Sequence, residues 1–349
     1  MYGRFALGLI AWALVGCSVP ELEKFATEYE QSAAKPTPVA SSRDTGLSQK
    51  VGTELLSVDR IITGGHLGVQ GVGGEFERLL AGAVDEVRLE RPVAVGGIDG
   101  VLYIVDAVSK LVFKYDLSLN VFTPIEGVAN QLVGEPGNIF VAQDRSFYLV
   151  NPMGKQVLHF SEGGELLTKF QDLANLSRPM DVAVDEQSGD VYVADGSFSR
   201  IVVFNQFGKA THAIGQRGTG PGRFRAITAM SKGGDGLFIL DRLELPVQVF
   251  GWDGEFRYSF GESELVFPSA IAVDRDQRAY ISDRSDNTIR VYQNGQLLMT
   301  YGGGGAAPGR FREVSSMWLH GDELFVADSL NRRVQVLRIN PNAPLPVAG

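Results

Sequence analysis

The chain is poor in the residues that build compact metal or disulfide frameworks. Cys17 is its only cysteine, so no disulfide can form within one molecule. Histidine is limited to four positions, His66, His159, His212 and His320. Basic residues are outnumbered, 32 against 41 acidic ones, and the net charge of −9 argues against a general affinity for polyanions. Nucleic acid is therefore not an expected partner. Runs that favour helix are few, and the one long apolar run, FALGLIAWALV near the N-terminus, is too short to span a bilayer comfortably. Glycine, by contrast, is abundant at 42 residues, and it points towards β structure with many tight turns.

The N-terminal segment has the layout of an export signal: the basic MYGR, the apolar run, then small residues. Its end, LVGC, resembles the bacterial lipobox, in which the cysteine is acylated and becomes the first residue of the mature protein. Residues 1–16 are accordingly read as a lipoprotein signal peptide and Cys17 as the lipidation site. Ser18, rather than aspartate, resembles lipoproteins sorted to an outer membrane, so the expected location is the bacterial cell envelope, periplasmic or surface-exposed. Residues 17–73 read as anchor and tether. PELEKFATEYEQSAAK can form a short charged helix, and PTPVASSRDTG has too little apolar surface to fold.

Internal repetition decides the fold class. A short pattern recurs as YIVD, YLVN, YVAD, FILD, YISD and FVAD, ending at Asp106, Asn151, Asp195, Asp241, Asp283 and Asp328. The spacings of 45, 44, 46, 42 and 45 residues match the period of propeller blades. Each unit holds four strand-like segments, as in PMDVAVD, GDVYVAD, SRIVVFN and GKATHAIG. The sixth unit lacks a fourth, because the chain ends in the proline-rich NPNAPLPVAG. The segment Gly74 to Gly82, GEFERLLAG, resembles the fourth strand GEFRYSFG of the fourth unit. The expectation is an all-β, six-bladed propeller of four-stranded antiparallel blades over residues 74–340, closed by that N-terminal strand, with a tail at 341–349.

The stretches RPMDVAVDEQSGDVYVADGSFSRIVVFNQFGK, FPSAIAVDRDQRAYISDRSDNTIRVYQNGQ and VADSLNRRVQVLRI resemble NHL repeats. The resemblance extends over all six units, although the second and fourth lack the usual polar turn before the third strand. The resemblance leaves the function open, since several NHL proteins act as binding platforms and a few relatives are enzymes.

Two loops repeat a motif of their own: QRGTGPGRFRAI and GGGGAAPGRFREV. Neither leads into a helix or contains GK[ST], so a phosphate cradle is disfavoured. Blade topology places these loops on the same face as the repeated aspartates. Arg91, Arg178, Arg223, Arg225, Arg310 and Arg312 are then expected to ring that face, most of them pairing with turn aspartates and bracing neighbouring blades. Arg217, Arg223, Arg310 and Arg312, on the two long loops, form the candidate partner-binding face.

The same chain bears on two enzymatic readings. The third unit resembles peptidyl-hydroxyglycine amidating lyases, whose zinc is held by histidines from several blades. The four histidines here do not fall at equivalent inner-strand positions: His66 precedes the propeller, His159 lies in a third strand, His212 in a fourth and His320 at a turn on the opposite face. A lactonase-like calcium site needs carboxylates and amides on separate inner strands. Counting back from each second-strand ending, the positions matching Asp181 are Pro92, Asn138, Ile227, Ala270 and Ser316. Asn138, Asp181 and Ser316 form a candidate ligand site at the channel mouth, or alternatively a set of satisfied turn residues. No catalytic nucleophile set, cofactor or metal is expected. The leading expectation is a monomeric, membrane-anchored scaffold for other envelope proteins or an extracytoplasmic polymer; the alternative is a lyase or hydrolase with a channel site.

Overall fold

The structure, a computed structural model, describes residues 55–67, 86–234 and 236–343. Cys17, the tether up to residue 54, the segment Gly74 to Gly82 and the last six residues lie outside the described residues. Among those described, the chain is nearly all β, with two single-turn 3₁₀ segments at Ala129–Gln131 and Ser329–Asn331. Six sheets, each built on four antiparallel strands, form the six blades of a propeller.

Blade three shows the plan. Pro179–Asp185 is the inner strand, followed outwards by Asp190–Asp195, Arg200–Phe204 and Ala210–Ile214. Burial follows position in the blade. The second strands Val101–Asp106, Gly236–Asp241 and Arg278–Asp283 are buried at every residue, because neighbouring blades cover both of their faces. Outer strands such as Ala210–Ile214 are largely exposed. In five blades the inner strand begins with a bulge, the extra residue being Val93, Met180, Thr228, Ser269 or Ser315.

The core is divided into six apolar clusters, each shared by two adjacent blades. The cluster joining blades six and one contains Phe325, Val334 and Val336 packed with Leu102, Ile104 and Phe113, so apolar packing runs unbroken around the ring. Polar contacts reinforce this seam: Trp318 Nε1 donates to the Gly97 carbonyl at 2.7 Å and Ser329 Oγ to the Pro92 carbonyl at 2.6 Å.

An N-terminal strand closes the last blade, but it is not the one that similarity to the fourth unit suggested. Leu56–Ile62 pairs antiparallel with Arg333–Ile339, from Leu56 opposite Ile339 to Ile62 opposite Val334, and takes the outer position of blade six. Only its two ends, Leu56 and Ile62, are buried, and this is why LSVDRII carries little apolar signal. The chain then joins blade one. Gly64–Leu67 runs parallel to that blade's outer strand Val121–Pro124, and Glu86–Arg88 pairs with Gly64–Leu67, so the first sheet has six strands. His66, expected ahead of the propeller, thus lies within this sheet.

Candidate functional site

The repeated aspartates are structural anchors. Asp106 Oδ2 accepts the backbone N–H groups of Glu90 and Arg91 at 2.8 Å each, and its Oδ1 accepts those of Val108 and Ser109. Asp195, Asp241 and Asp283 do the same for their own blades. One buried carboxylate therefore ties the incoming blade-to-blade loop to the turn that follows its strand. Burial alone would raise the Asp283 carboxyl, but hydrogen bonds from Ser285, Val266 and Phe267 outweigh it and hold the group below its ordinary value. The expected pairing with loop arginine side chains is replaced by backbone donation. Arg91, Arg178, Arg225 and Arg312 contact the aspartates through N–H, while guanidinium partners come from third strands: Arg290 on Asp283 at 3.3 Å and Arg333 on Asp328 at 2.8 Å.

The two PGRFR loops fold identically. After blade three, Gln216–Arg217 lies parallel to Arg223–Phe224; after blade five, Gly304 bridges Phe311 in the same sense. Phe224 and Phe311 are fully buried plugs. Gly215 and Gly302 have φ of 71° and 93°, and a Cβ at either would meet the plugging ring at 2.3 and 2.5 Å, so glycine is required at both. A buried glutamine from the next blade clamps each loop. Gln248 accepts from Gly222 N at 2.9 Å and donates to Arg223 O at 2.7 Å; Gln335 accepts from Gly309 N at 3.0 Å and donates to Arg310 O at 2.8 Å. The motif thus encodes a plug and a backbone clamp between blades. Its arginine side chains are left exposed: among the described residues no carboxylate pairs with Arg217, Arg223, Arg310 or Arg312.

Asn138, Asp181 and Ser316 come together across the channel. Ser316 Oγ donates to Asn138 Oδ1 at 2.9 Å, and Asn138 Nδ2 donates to Asp181 Oδ1 at 2.7 Å. Asp181 also accepts Val182 N on Oδ1 and Met230 N on Oδ2, both at 2.8 Å. Desolvation dominates these bonds and pushes the carboxyl up to about 7. Strand register corrects the counted equivalences in two blades: Pro92 and Ile227 pair with the aspartates Asp106 and Asp241, and the positions matching Asp181 are Ala94 and Ala229. The error arose because the inner hairpins differ in length, which counting along the sequence cannot register.

Two of the trio, Asn138 and Asp181, line a cavity of about 260 Å³ that extends to Gly234, Asp274 and Arg275 at the far ends of the inner strands, while Ser316 lies behind Asn138, outside the lining. The walls include Met230, Met317, Trp318 and Phe140, the last two meeting edge to face at 5.4 Å. Lys232 lies over the Phe140 ring at 4.8 Å and pairs with Glu186 at 2.5 Å. No histidine lines this cavity. His159 is stacked on Tyr148 at 4.0 Å and held below its ordinary value by burial, and His320 contacts Asp99 at 3.4 Å. Among the described residues no group of three or more His, Cys, Asp or Glu is arranged to hold a metal ion.

A family model for the NHL repeat matches residues 176–204, which run from the loop entering blade three to the end of its third strand. The chain is a six-bladed β-propeller with an NHL repeat in its third blade. Similar solved structures agree on the architecture. Virginiamycin B lyase from Staphylococcus aureus is 12% identical over 73% of this chain and 99% of its own, with a TM-score of 0.54. A protein of unknown function from Bacteroides thetaiotaomicron is 15% identical over 72% of this chain and 70% of its own, with a TM-score of 0.59. A catalytically inactive histidine-to-alanine variant of the S. aureus lyase, in a crystal structure with quinupristin, is 11% identical over 74% and 87%, with a TM-score of 0.50. At such identity the likeness concerns the fold. No curated protein sequence matches.

The aspartate face of the propeller also carries apolar side chains. The turns after the second strands each expose a large apolar side chain in five blades: Val108, Met153, Phe198, Leu243 and Leu330, between 42 and 69% exposed. Val133, Leu173 and Val266, in blade-to-blade loops, add to the same face. The five turn residues sit two or three positions beyond the repeated Asp or Asn, a regularity visible in the sequence once the turn is recognised. Among the described residues no helix is long and apolar enough to cross a membrane.

Proposed function

We propose that this propeller is a lipid-anchored docking module of the bacterial envelope, tethered through Cys17 and binding a protein partner on its aspartate face. The observation that carries the reading is the ring of exposed apolar turn residues on that face. Repeat-wide packing explains buried apolar positions, but it gives no reason for five blades to offer Val, Met, Phe or Leu to solvent at the same turn. The exposed side chains of Arg217, Arg223, Arg310 and Arg312, which have no carboxylate partner among the described residues, bring positive charge to this face of a chain of net charge −9. The fitting partner is a protein with an apolar patch rimmed by carboxylates, the arginines setting orientation and encounter rate and the apolar contacts supplying most of the affinity.

A lyase reading gains little from the fold alone. The histidine-to-alanine variant of the S. aureus relative is described as catalytically inactive, whereas no histidine borders the cavity of this chain. The test of the docking reading pairs Phe198→Asp, Leu243→Asp and Leu330→Asp with Phe207→Asp on the opposite face as control. The three should release envelope partners without lowering the melting temperature, and Phe207→Asp should not. Cys17→Ser should move the protein out of the membrane fraction, because acyl chains contribute about 0.8 kcal/mol per buried methylene. Retention of the partner set by the triple variant would refute the docking face.

A further inference from the structure

The docking face leaves the channel cavity without a role, and three of its properties together point to one. Asn138 and Asp181 line one end of it, bonded to each other at 2.7 Å, and Gly234, Asp274 and Arg275 line the other. Its walls are mainly apolar: Ile139, Phe140, Met230, Ile271, Met317 and Trp318. It also holds a carboxyl, that of Asp181, with which no cation pairs among the described residues. A carboxylate offers about four acceptor sites, and Asp181 fills three, with the side chain of Asn138 and the N–H groups of Val182 and Met230. The other charged groups of the lining are arranged differently. Lys232 is neutralised by Glu186, Asp274 is bonded to Arg278 and Tyr280, and Arg275 is exposed at the rim.

We infer that the cavity is a binding site for a small apolar primary amine, its ammonium group meeting Asp181 and its hydrocarbon body lying between Phe140, Met230 and Trp318. Size agrees: a dry cavity of about 150 Å³ accommodates benzene, and about 260 Å³ accommodates a ring carrying a short amine chain. Charge agrees as well. A carboxylate buried among apolar groups is costly unless a cation accompanies it, and an ammonium ion supplies the missing partner and a donor for the unfilled acceptor site. Neither an alcohol nor a carboxylate does both. The elevated titration of Asp181, near 7, gives the site a pH signature. The amine stays protonated below pH 9, so affinity follows ionisation of Asp181, strengthening about tenfold per pH unit below 7 and levelling above it.

The test is calorimetric titration of the full chain in detergent with 2-phenylethylamine, 2-phenylethanol and 3-phenylpropionate at pH 5 and pH 8. The amine alone should bind, at least roughly 50-fold more tightly at pH 8 than at pH 5. Asp181→Asn should abolish this preference for the amine. Ser231→Phe, which fills the cavity from a half-exposed wall position while leaving Asp181 in place, should weaken amine binding at least tenfold. Because either variant can disturb folding, each is compared with wild type only after its melting transition at pH 8 is shown to be cooperative. Equal binding of amine and alcohol, no dependence on pH, amine selectivity retained by Asp181→Asn, or no amine binding at 10 mM would each overturn the inference.

Discussion

Replacing Asp181 by asparagine should reverse its effect on stability as pH rises. In the unfolded chain the carboxyl titrates near 3.8, and in the folded chain near 7. Between those values the folded state holds a proton that the unfolded state has lost, so the Asp181 contribution falls as pH increases and levels off above 7. A difference of that size corresponds to about 4 kcal/mol. Asparagine keeps one acceptor oxygen for Asn138 and Val182 but turns an amide towards Met230 N, which loses its acceptor at a cost of roughly 1–3 kcal/mol. The variant should therefore be less stable than wild type by about 2 kcal/mol near pH 4 and more stable by about 2 kcal/mol at pH 8. Urea denaturation of both proteins across this range measures the difference, and groups that titrate alike in both cancel. A stability difference that stays constant with pH would refute the argument, since it would mean that Asp181 is ionised throughout or does not couple to folding.

Two further outcomes test the closure and the loop motif. Deleting residues 18–54 should leave the melting temperature nearly unchanged, whereas deleting residues 18–63 removes the outer strand of blade six, uncovers Ile339 and Leu337, and should lower it sharply; equal melting temperatures would show that Leu56–Ile62 does not close the ring. Gln335→Ala breaks the clamp on Gly309 N and Arg310 O inside the blade interface, and should cost about 2–3 kcal/mol in chemical denaturation, with Gln248→Ala behaving alike.

The blade architecture was legible because it is written six times. An apolar second strand ending in Asp or Asn has to be buried on both sides, and repetition at a blade-length period has few other solutions. The closing strand was harder to see. Leu56–Ile62 sits at an outer edge where only its ends are buried, so its sequence resembles a polar linker, while GEFERLLAG imitated a fourth strand through local similarity alone. The channel trio was found by counting, and the counting succeeded for Asn138, Ala270 and Ser316 but slipped by two residues at Pro92 and Ile227, where hairpin length differs. The role of PGRFR lies in the phenylalanine and the backbone atoms, which no pattern of charges announces; its arginine side chains stay exposed, that of Arg310 donating to the Gly302 carbonyl. The apolar turn residues were passed over because a lone exposed Val or Leu carries no message until five of them occupy equivalent positions on one face.

Site-specific photocrosslinking in living cells tests the docking claim most directly. A photoreactive residue is placed in turn at Phe198, Leu243 and Leu330 on the aspartate face, and at Leu119 and Phe207 on the opposite face, all of them exposed. The account predicts one discrete protein adduct shared by the first three positions and absent from the other two. Adducts of equal yield on both faces, or none from the aspartate face, would contradict it.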